Sequence, residues 1–199
     1  MPRAIAALSG GALAGGIGTA VSRGYTTDLN HAVRRRIHPK RSGRLISVAT
    51  GISSLVGPYA HPLAASALGF LIHRNERSAG LGPPSASLGA IVVDNVTRLF
   101  VKQRRPRGAG SHRGRYRYGY PSGHATAATA ISIATAAEIA DQLSPDERKV
   151  LWTAVIVFSI CVGWSRLYLD EHWLDDVVGG WMAGAAIGLG AASLVARRE

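Results

Sequence analysis

Long apolar stretches almost free of charge alternate along this chain with short segments crowded with arginine. Only 18% of the residues are charged, below the roughly one quarter usual for a soluble protein, and 47% are hydrophobic. A helix in a bilayer satisfies its own backbone hydrogen bonds and tolerates few charges. The alternation therefore predicts an all-α, multi-pass transmembrane helical bundle with polar loops.

The apolar segments set the predicted number of spans. The first is so rich in glycine and alanine that the sequence does not decide whether it crosses the bilayer, which gives five or six spans. The second contains Pro58 and Pro62 and is long enough for one kinked span of about 20 or more residues. The predicted segments cover residues 4–22, 45–72, 83–100, 122–140, 150–168 and 173–195.

Local signals mark some helix ends and contacts. Before the fifth segment, Ser144 can cap a helix and Pro145 can occupy its first position. In the first segment, the spacing of Gly11 and Gly15 can bring two membrane helices into close contact. We expect an N-terminal segment, residues 1–44, with a basic interfacial region, followed by one helical domain over residues 45–199.

The net charge is +11, and 20 of the 23 basic residues are arginine. Such a surface suits nucleic acid, anionic lipid headgroups or a phosphorylated substrate. The single cysteine, Cys161, excludes an internal disulfide and a cysteine metal cluster. The loop at 113–118 interleaves arginine with tyrosine, as some RNA-binding segments do, but in a membrane protein it favours lipid headgroups over nucleic acid.

Three polar clusters lie where predicted helices end or meet. They cover residues 98–106, 121–124 and 165–176. The first follows the third segment, the second begins the fourth, and the last joins the fifth to the sixth. Successive spans reverse direction, so all three fall on one side of the membrane. This convergence predicts a single site.

The residue types in these clusters suit phosphoryl transfer. Arg98, Arg105 and Arg166 can hold phosphate oxygens through charge-assisted, often bidentate hydrogen bonds. The backbone amides of Ser122 and Gly123 lie at a predicted helix N-terminus, where unpaired N–H groups and the helix dipole favour an anion.

Two histidines supply the remaining chemistry. His172 and Asp176 are four residues apart, so at a helix start they share one face. A carboxylate there can fix the imidazole tautomer and leave the other nitrogen free to attack phosphorus. His124 can protonate the leaving oxygen. Residue types alone leave open which histidine attacks.

The spacing of these residues resembles a known family. The runs Pro-Ser-Gly-His at 121–124 and Ser-Arg-x5-His-x3-Asp at 165–176 are similar to the second and third motifs of the type-2 phosphatidic acid phosphatase and haloperoxidase superfamily. Its first motif is a lysine, six residues, then Arg-Pro. Arg105 and Pro106 match it, but Arg98 occupies the lysine position, which keeps the charge and changes the geometry. The similarity covers about residues 85–190.

The resemblance implies a helical membrane phosphatase that works without metal or other cofactor, through a phosphohistidine on His172. Asp176 would orient this histidine, and His124 would act as general acid and then activate water. The substrate would be a lipid phosphate or diphosphate, such as phosphatidate, phosphatidylglycerophosphate or a polyprenyl phosphate. The implied phosphate-binding residues are Arg98, Arg105, Ser122, Gly123 and Arg166.

Two rival functions fit part of the same pattern. Vanadate-dependent haloperoxidases share the motifs, but they are soluble and considerably larger. A membrane protein that binds anionic lipid and has lost catalysis is the other alternative. Intact His124, His172 and Asp176 argue against it.

Other polar residues near the motifs receive lesser roles. Asp94 lies one turn before Arg98, and we expect an ion pair that orients this arginine. Lys102 is the alternative occupant of the substituted lysine position. The acidic neighbours of His172 either raise its basicity or form a solvated rim, and we favour the rim; they are Asp170, Glu171 and Asp175.

The distribution of basic residues predicts the orientation of the site. With six spans, 15 basic residues fall on the active-site side and 7 on the opposite side. The positive-inside rule then places the site on the cytoplasmic face. The sequence leaves the particular lipid and the oligomeric state open.

Overall fold

The computed structural model of the chain describes residues 2–38, 42–75, 80–106 and 117–195, and these residues are overwhelmingly helical. Residues 113–116 of the arginine–tyrosine loop at 113–118 and the terminal pair Arg197 and Arg198 lie outside the described residues. In the described ranges the helices are α1 (Pro2–Ser22), α2 (Thr27–Ile37), α3 (Gly43–Ser54), α4 (Ala60–Arg74), α5 (Gly82–Phe100), α6 (Gly123–Ile139), α7 (Pro145–Tyr168) and α8 (Leu174–Val195). The predicted all-helical fold is confirmed.

Helices α6 and α8 form the central contact of the bundle, and glycines on α8 make it close. A Cβ added at Gly180 would lie 2.9 Å from the Ser122 carbonyl oxygen. One added at Gly184 would lie 2.6 Å from the Thr126 carbonyl oxygen. Any side chain at these positions would push the helices apart. The start of α6 is thereby held against the start of α8.

Helix α1 packs antiparallel to α8, but through other glycines than predicted. A Cβ at Gly11 or Gly15 would meet nothing within 4 Å, so that predicted contact is wrong. Gly10 instead approaches the Met182 carbonyl oxygen, and Gly18 approaches the ring of Tyr120. In a helix where half the positions are glycine or alanine, spacing alone does not identify the packed face.

The second predicted segment is divided into α3 and α4 by residues 55–59, which contain Pro58. Helix α3 packs against α7, whereas α4 packs against α5. The break opens a gap in the helical wall beside the ends of α5, α6 and α7. Residues of the break and of the first turn of α4 therefore line the cavity described below.

The basic N-terminal segment contains a helix that was not predicted from sequence. Helix α2 covers Thr27–Ile37 and has one buried residue, Asn30, opposite a basic exposed side. It lies at the end of the bundle where α7 ends and α8 begins.

Two of the described helices are long and apolar enough to cross a bilayer by length and composition, over Ile5–Ser22 and Pro145–Tyr168. The number of five or six spans is therefore not established by this criterion and remains a prediction. The other helices are shortened, as at the α3–α4 break, or carry charged residues near one end.

Candidate active site

A cavity of about 360 Å³ opens where the three polar clusters meet. Its walls come from the ends of α5 and α7, the start of α6 and the α3–α4 break. Apolar residues such as Val56 and Ile91 form its inner part. The structure brings residues of all three clusters to this cavity; its lining includes Asp94, Arg98, Arg105, Gly123, His124, Arg166 and Glu171.

His172 lies directly behind the cavity, in the α7–α8 loop (residues 169–173). Its Nε2 is 2.9 Å from Arg105 Nη1, and its Nδ1 is 3.1 Å from Asp176 Oδ2. A guanidinium can only donate, so Nε2 must be the accepting nitrogen and Nδ1 carries the proton. The lone pair of Nε2 therefore faces Arg105 and the cavity. His172 is thus held at both ring nitrogens.

Asp176 is fully buried in the first turn of α8 and ties several backbone segments together. Its Oδ2 also accepts from the Trp173 backbone N–H at 3.0 Å. Its carbonyl oxygen accepts from the Ser122 backbone N–H at 2.9 Å. The residue that orients His172 is thus bonded to the segment that begins α6.

Three guanidinium groups surround the cavity. Arg98 Nη2 lies 2.8 Å from Asp94 Oδ1, in the i,i+4 ion pair expected from sequence. Arg105 donates to the Glu171 carbonyl oxygen at 3.0 Å as well as to His172. Arg166 Nη1 donates to the Ser53 hydroxyl at the end of α3. The arginines are fixed by neighbours from α3, α5 and the α7–α8 loop.

Glu171 places a carboxylate between two of these arginines. Its Oε2 lies 3.5 Å from Arg105 Nη1 and 3.6 Å from Arg166 Nη2. It also lines the cavity. A phosphate oxygen bound by both guanidiniums would take the same place, so this carboxylate would compete with a phosphate for them.

Some of the residues at the start of α6 line the cavity and others do not. Gly123 and His124 line it, whereas Ser122 is fully buried behind it. The Ser122 amide already donates to Asp176, and its hydroxyl has no hydrogen-bond partner among the described residues. Lys102 is exposed and does not line the cavity, whereas Arg98 does.

Two of the three acidic neighbours of His172 do not belong to the expected solvated rim. Asp170 and Asp175 are only 3% and 6% exposed. Each is held by a side chain of α2, and the two partners of each contact are about 140 residues apart in sequence. Such contacts leave no local signal, so sequence reasoning missed Asn30 and Arg34 as their partners.

Burial and neighbouring charges shift the pKa values of His172 and Arg105, which lie in the loops of the site. Burial lowers the pKa of His172 well below its usual value, and the nearby Arg105 and Arg166 guanidiniums lower it further. A lowered pKa favours the neutral imidazole, which is the form that can attack as a nucleophile. Burial, followed by the charge of Arg98, also lowers the pKa of Arg105, against the opposing effect of Glu171.

Across the described ranges, no group of three or more histidine, cysteine, aspartate or glutamate side chains is arranged to hold a metal ion. The cavity is lined by guanidiniums, a group that can bind phosphate oxygens through charge-assisted hydrogen bonds. The polar groups present can bind an anion, attack it with a neutral imidazole and protonate a leaving group.

Comparisons with known proteins identify a matching family, a related sequence and a shared fold. A family model described as PAP2 superfamily matches residues 85–199. Undecaprenyl-diphosphatase of Sulfolobus acidocaldarius is 30% identical over 122 residues, which are 59% of this chain and 55% of that protein. This chain thus spans about half the length of that relative.

The crystal structure of a transmembrane PAP2 type phosphatidylglycerolphosphate phosphatase from Bacillus subtilis superposes with a TM-score of 0.84. The two sequences are 21% identical, and the match covers 97% of each chain. The same helical fold is therefore shared over nearly the whole chain.

Proposed function

Because the chain belongs to the PAP2 superfamily, we propose that it is a lipid phosphatase that acts through a covalent phosphate on His172. The observation that carries this proposal is the tautomer of His172. Asp176 accepts its Nδ1 proton, and its Nε2 lone pair points toward Arg105 at the edge of a cavity with three guanidiniums.

The proposed reaction begins when the substrate phosphate displaces the Glu171 carboxylate from Arg105 and Arg166. Arg105 shifts its hydrogen bond from Nε2 of His172 to a phosphate oxygen. Nε2 then attacks phosphorus, the bond from phosphorus to the lipid oxygen breaks, and His124 gives that oxygen a proton. In the second half, His124 takes a proton from water, which attacks phosphorus and releases phosphate and neutral His172.

A lipid substrate is supported by the space next to the cavity. An apolar groove of about 300 Å³ between α4, α6 and α7 shares Val56 and His61 with the cavity. A phosphate held by the arginines would leave its hydrocarbon next to this groove. The relatives are described as an undecaprenyl-diphosphatase and a phosphatidylglycerolphosphate phosphatase. Phosphatidate, phosphatidylglycerophosphate and polyprenyl mono- and diphosphates are therefore the substrates to test.

Phosphate release by the purified protein in detergent, with excess EDTA, tests the proposal across these lipids. We expect release from at least one of them, inhibition by vanadate, which mimics the pentacoordinate transition state, and none in His172→Ala. An absolute requirement for magnesium, or oxidation of halide in the presence of vanadate without phosphate release, would overturn it.

The proposed enzyme crosses the membrane several times and presents its active site to the cytoplasm. Tyr25 lies on the active-site end, next to Thr26 and its bond to Asp175, and Asp146 lies at the opposite end of α7; both are exposed. Single cysteines at these positions, in a Cys161→Ser background, report the orientation. A membrane-impermeant thiol reagent should label position 146 but not 25 in intact cells, and the reverse result would place the site outside.

A further inference from the structure

Helix α2 lies across the α7–α8 loop and contacts residues on both sides of His172. Asn30 is the one buried residue of this helix, with 4% of its surface exposed. A buried amide requires hydrogen-bond partners. The partners that Asn30 has are groups of Asp175, at the start of α8.

Asn30 and Asp175 hold each other by two hydrogen bonds. Asn30 Nδ2 donates to Asp175 Oδ2 at 2.7 Å, and the Asp175 backbone N–H donates to Asn30 Oδ1 at 3.3 Å. The same Oδ2 accepts from Thr26 Oγ1 at 2.5 Å and from Gln103 Nε2 at 3.0 Å. Three donors therefore fix one carboxylate oxygen, and two of them come from α2 and the residue before it.

The bonds of Asp175 lead directly to the nucleophile. Asp175 Oδ1 accepts from the Asp176 backbone N–H at 2.8 Å. Asp176 in turn holds Nδ1 of His172. A shift of α2 would therefore move the carboxylate that orients the imidazole.

Arg34, one turn after Asn30, holds the other side of the loop. Its Nε and Nη2 bond Asp170 Oδ1 and Oδ2 at 2.7 and 2.8 Å, a bidentate pair. Asp170 has a φ of 60°, a left-handed conformation that is unfavourable for a residue with a side chain. The ion pair stabilises this turn two residues before His172.

We propose that α2 positions His172 for attack, with Asn30 and Arg34 as positioning residues. The His31 ring adds a third contact, edge-on to Trp173 with ring centroids 5.0 Å apart. Residues 170, 173 and 175 are thus all held by α2, and they bracket the nucleophile. This proposal rests on the proposed phosphatase function.

Arg34→Ala tests the proposal against Arg36→Ala, which removes the same charge from an exposed position two residues later. We expect kcat to fall about 10- to 100-fold in Arg34→Ala, since a small displacement of a reacting group has effects of that order. KM should stay within about threefold, because Arg98, Arg105 and Arg166 still bind the phosphate. Arg36→Ala should behave like wild type, and Arg34→Lys should recover part of the loss.

A second substitution separates positioning from a general loss of structure. Arg34→Ala leaves Asp170 buried without its guanidinium and in an unfavourable conformation. Asp170→Gly removes the charge and accepts a positive φ, so it should restore part of kcat when combined with Arg34→Ala. Equal kcat in Arg34→Ala and Arg36→Ala, or a loss confined to KM, would overturn the proposal.

Hydrogen exchange provides a readout that needs no substrate. Amides of residues 169–176 should exchange faster in Arg34→Ala than in Arg36→Ala, with the rest of the chain unchanged. If wild type releases no phosphate from any lipid, the proposed function fails, and exchange still decides whether α2 holds this loop. Unchanged exchange in Arg34→Ala would contradict the positioning role in either case.

Discussion

The α7–α8 loop and the α5–α6 wall, formed by Arg98 at the end of α5 and by Gly123 and His124 at the start of α6, border the same cavity but are held very differently. In the loop, His172 is bonded at both ring nitrogens. Its carboxylate partner, Asp176, lies in the first turn of α8 and is fully buried. On the wall, His124 lines the open cavity at the first turn of α6. A nucleophile gains from a fixed position, whereas a general acid must meet a leaving group and then a water. The difference supports one role for each histidine.

The largest expected effect is the loss of the fixed histidine. His172→Ala should reduce steady-state phosphate release to background, because it removes the Nε2 that faces Arg105 and that would form the bond to phosphorus. His124→Ala should reduce release by about 10²- to 10⁴-fold, the usual contribution of a general acid or base. Both variants should remain folded and in the membrane, which chromatography in detergent checks. Substantial turnover by His172→Ala would remove the distinction between the two regions.

Substitution of Arg98 tests the α5–α6 wall without changing the α7–α8 loop. Arg98→Ala should lower kcat/KM by about 10²- to 10³-fold, the effect of losing one desolvated contact to the transition state. Arg98→Lys keeps the charge and should retain much of the activity. Lys102→Ala is the matched control, since that side chain is exposed and outside the cavity lining. Normal activity in Arg98→Ala together with a defect in Lys102→Ala would assign the substituted lysine position to Lys102.

Glu171 belongs to the loop but faces the cavity, and a smaller effect is expected there. Glu171→Gln removes the charge that competes for Arg105 and Arg166. KM and the inhibition constant for inorganic phosphate should fall about two- to fivefold, the size expected for a partly exposed ion pair. Asp28→Asn controls for one lost exposed charge on the same side of the molecule. Weaker phosphate binding in Glu171→Gln would show that the carboxylate supports the site instead of competing for it.

The smallest effect is expected from pH. Because burial and the arginines lower the pKa of His172 well below 6.5, the imidazole stays neutral as pH falls through that value. The rate of phosphoenzyme formation at saturating substrate should therefore change little between about pH 7.5 and 5.5, a range that includes the unperturbed histidine pKa of about 6.5. A loss of this rate centred near pH 6.5 would indicate an exposed, ordinary histidine.

Features encoded by neighbouring residues were predictable from the sequence. The turn before α7 shows this: Ser144 caps the helix, Pro145 begins it, and Glu147 completes a capping box. The helix order also predicted that the three polar clusters meet at one end of the bundle. Both inferences need only the local pattern and the alternating direction of successive helices.

Features that depend on distant contacts were not predictable. The burial of Asp170 and Asp175 depends on α2. The local sequence, a run of charged residues beside a histidine, is equally compatible with a solvated rim. The break at Pro58 was expected as a kink, but its contribution to the cavity depends on where α3 and α4 pack. The position of Glu171 between Arg105 and Arg166 became apparent only from the structure.

The central claim is that His172 carries the phosphate, and trapping the phosphoenzyme tests it most directly. His124→Ala, mixed with a phosphate-labelled lipid that has an activated leaving group, should form the intermediate faster than it hydrolyses it. After a quench in base, peptide mapping should find an acid-labile label on His172, and His172→Ala should carry none. A label on His124 in wild type, or turnover without any phosphohistidine, would contradict the account.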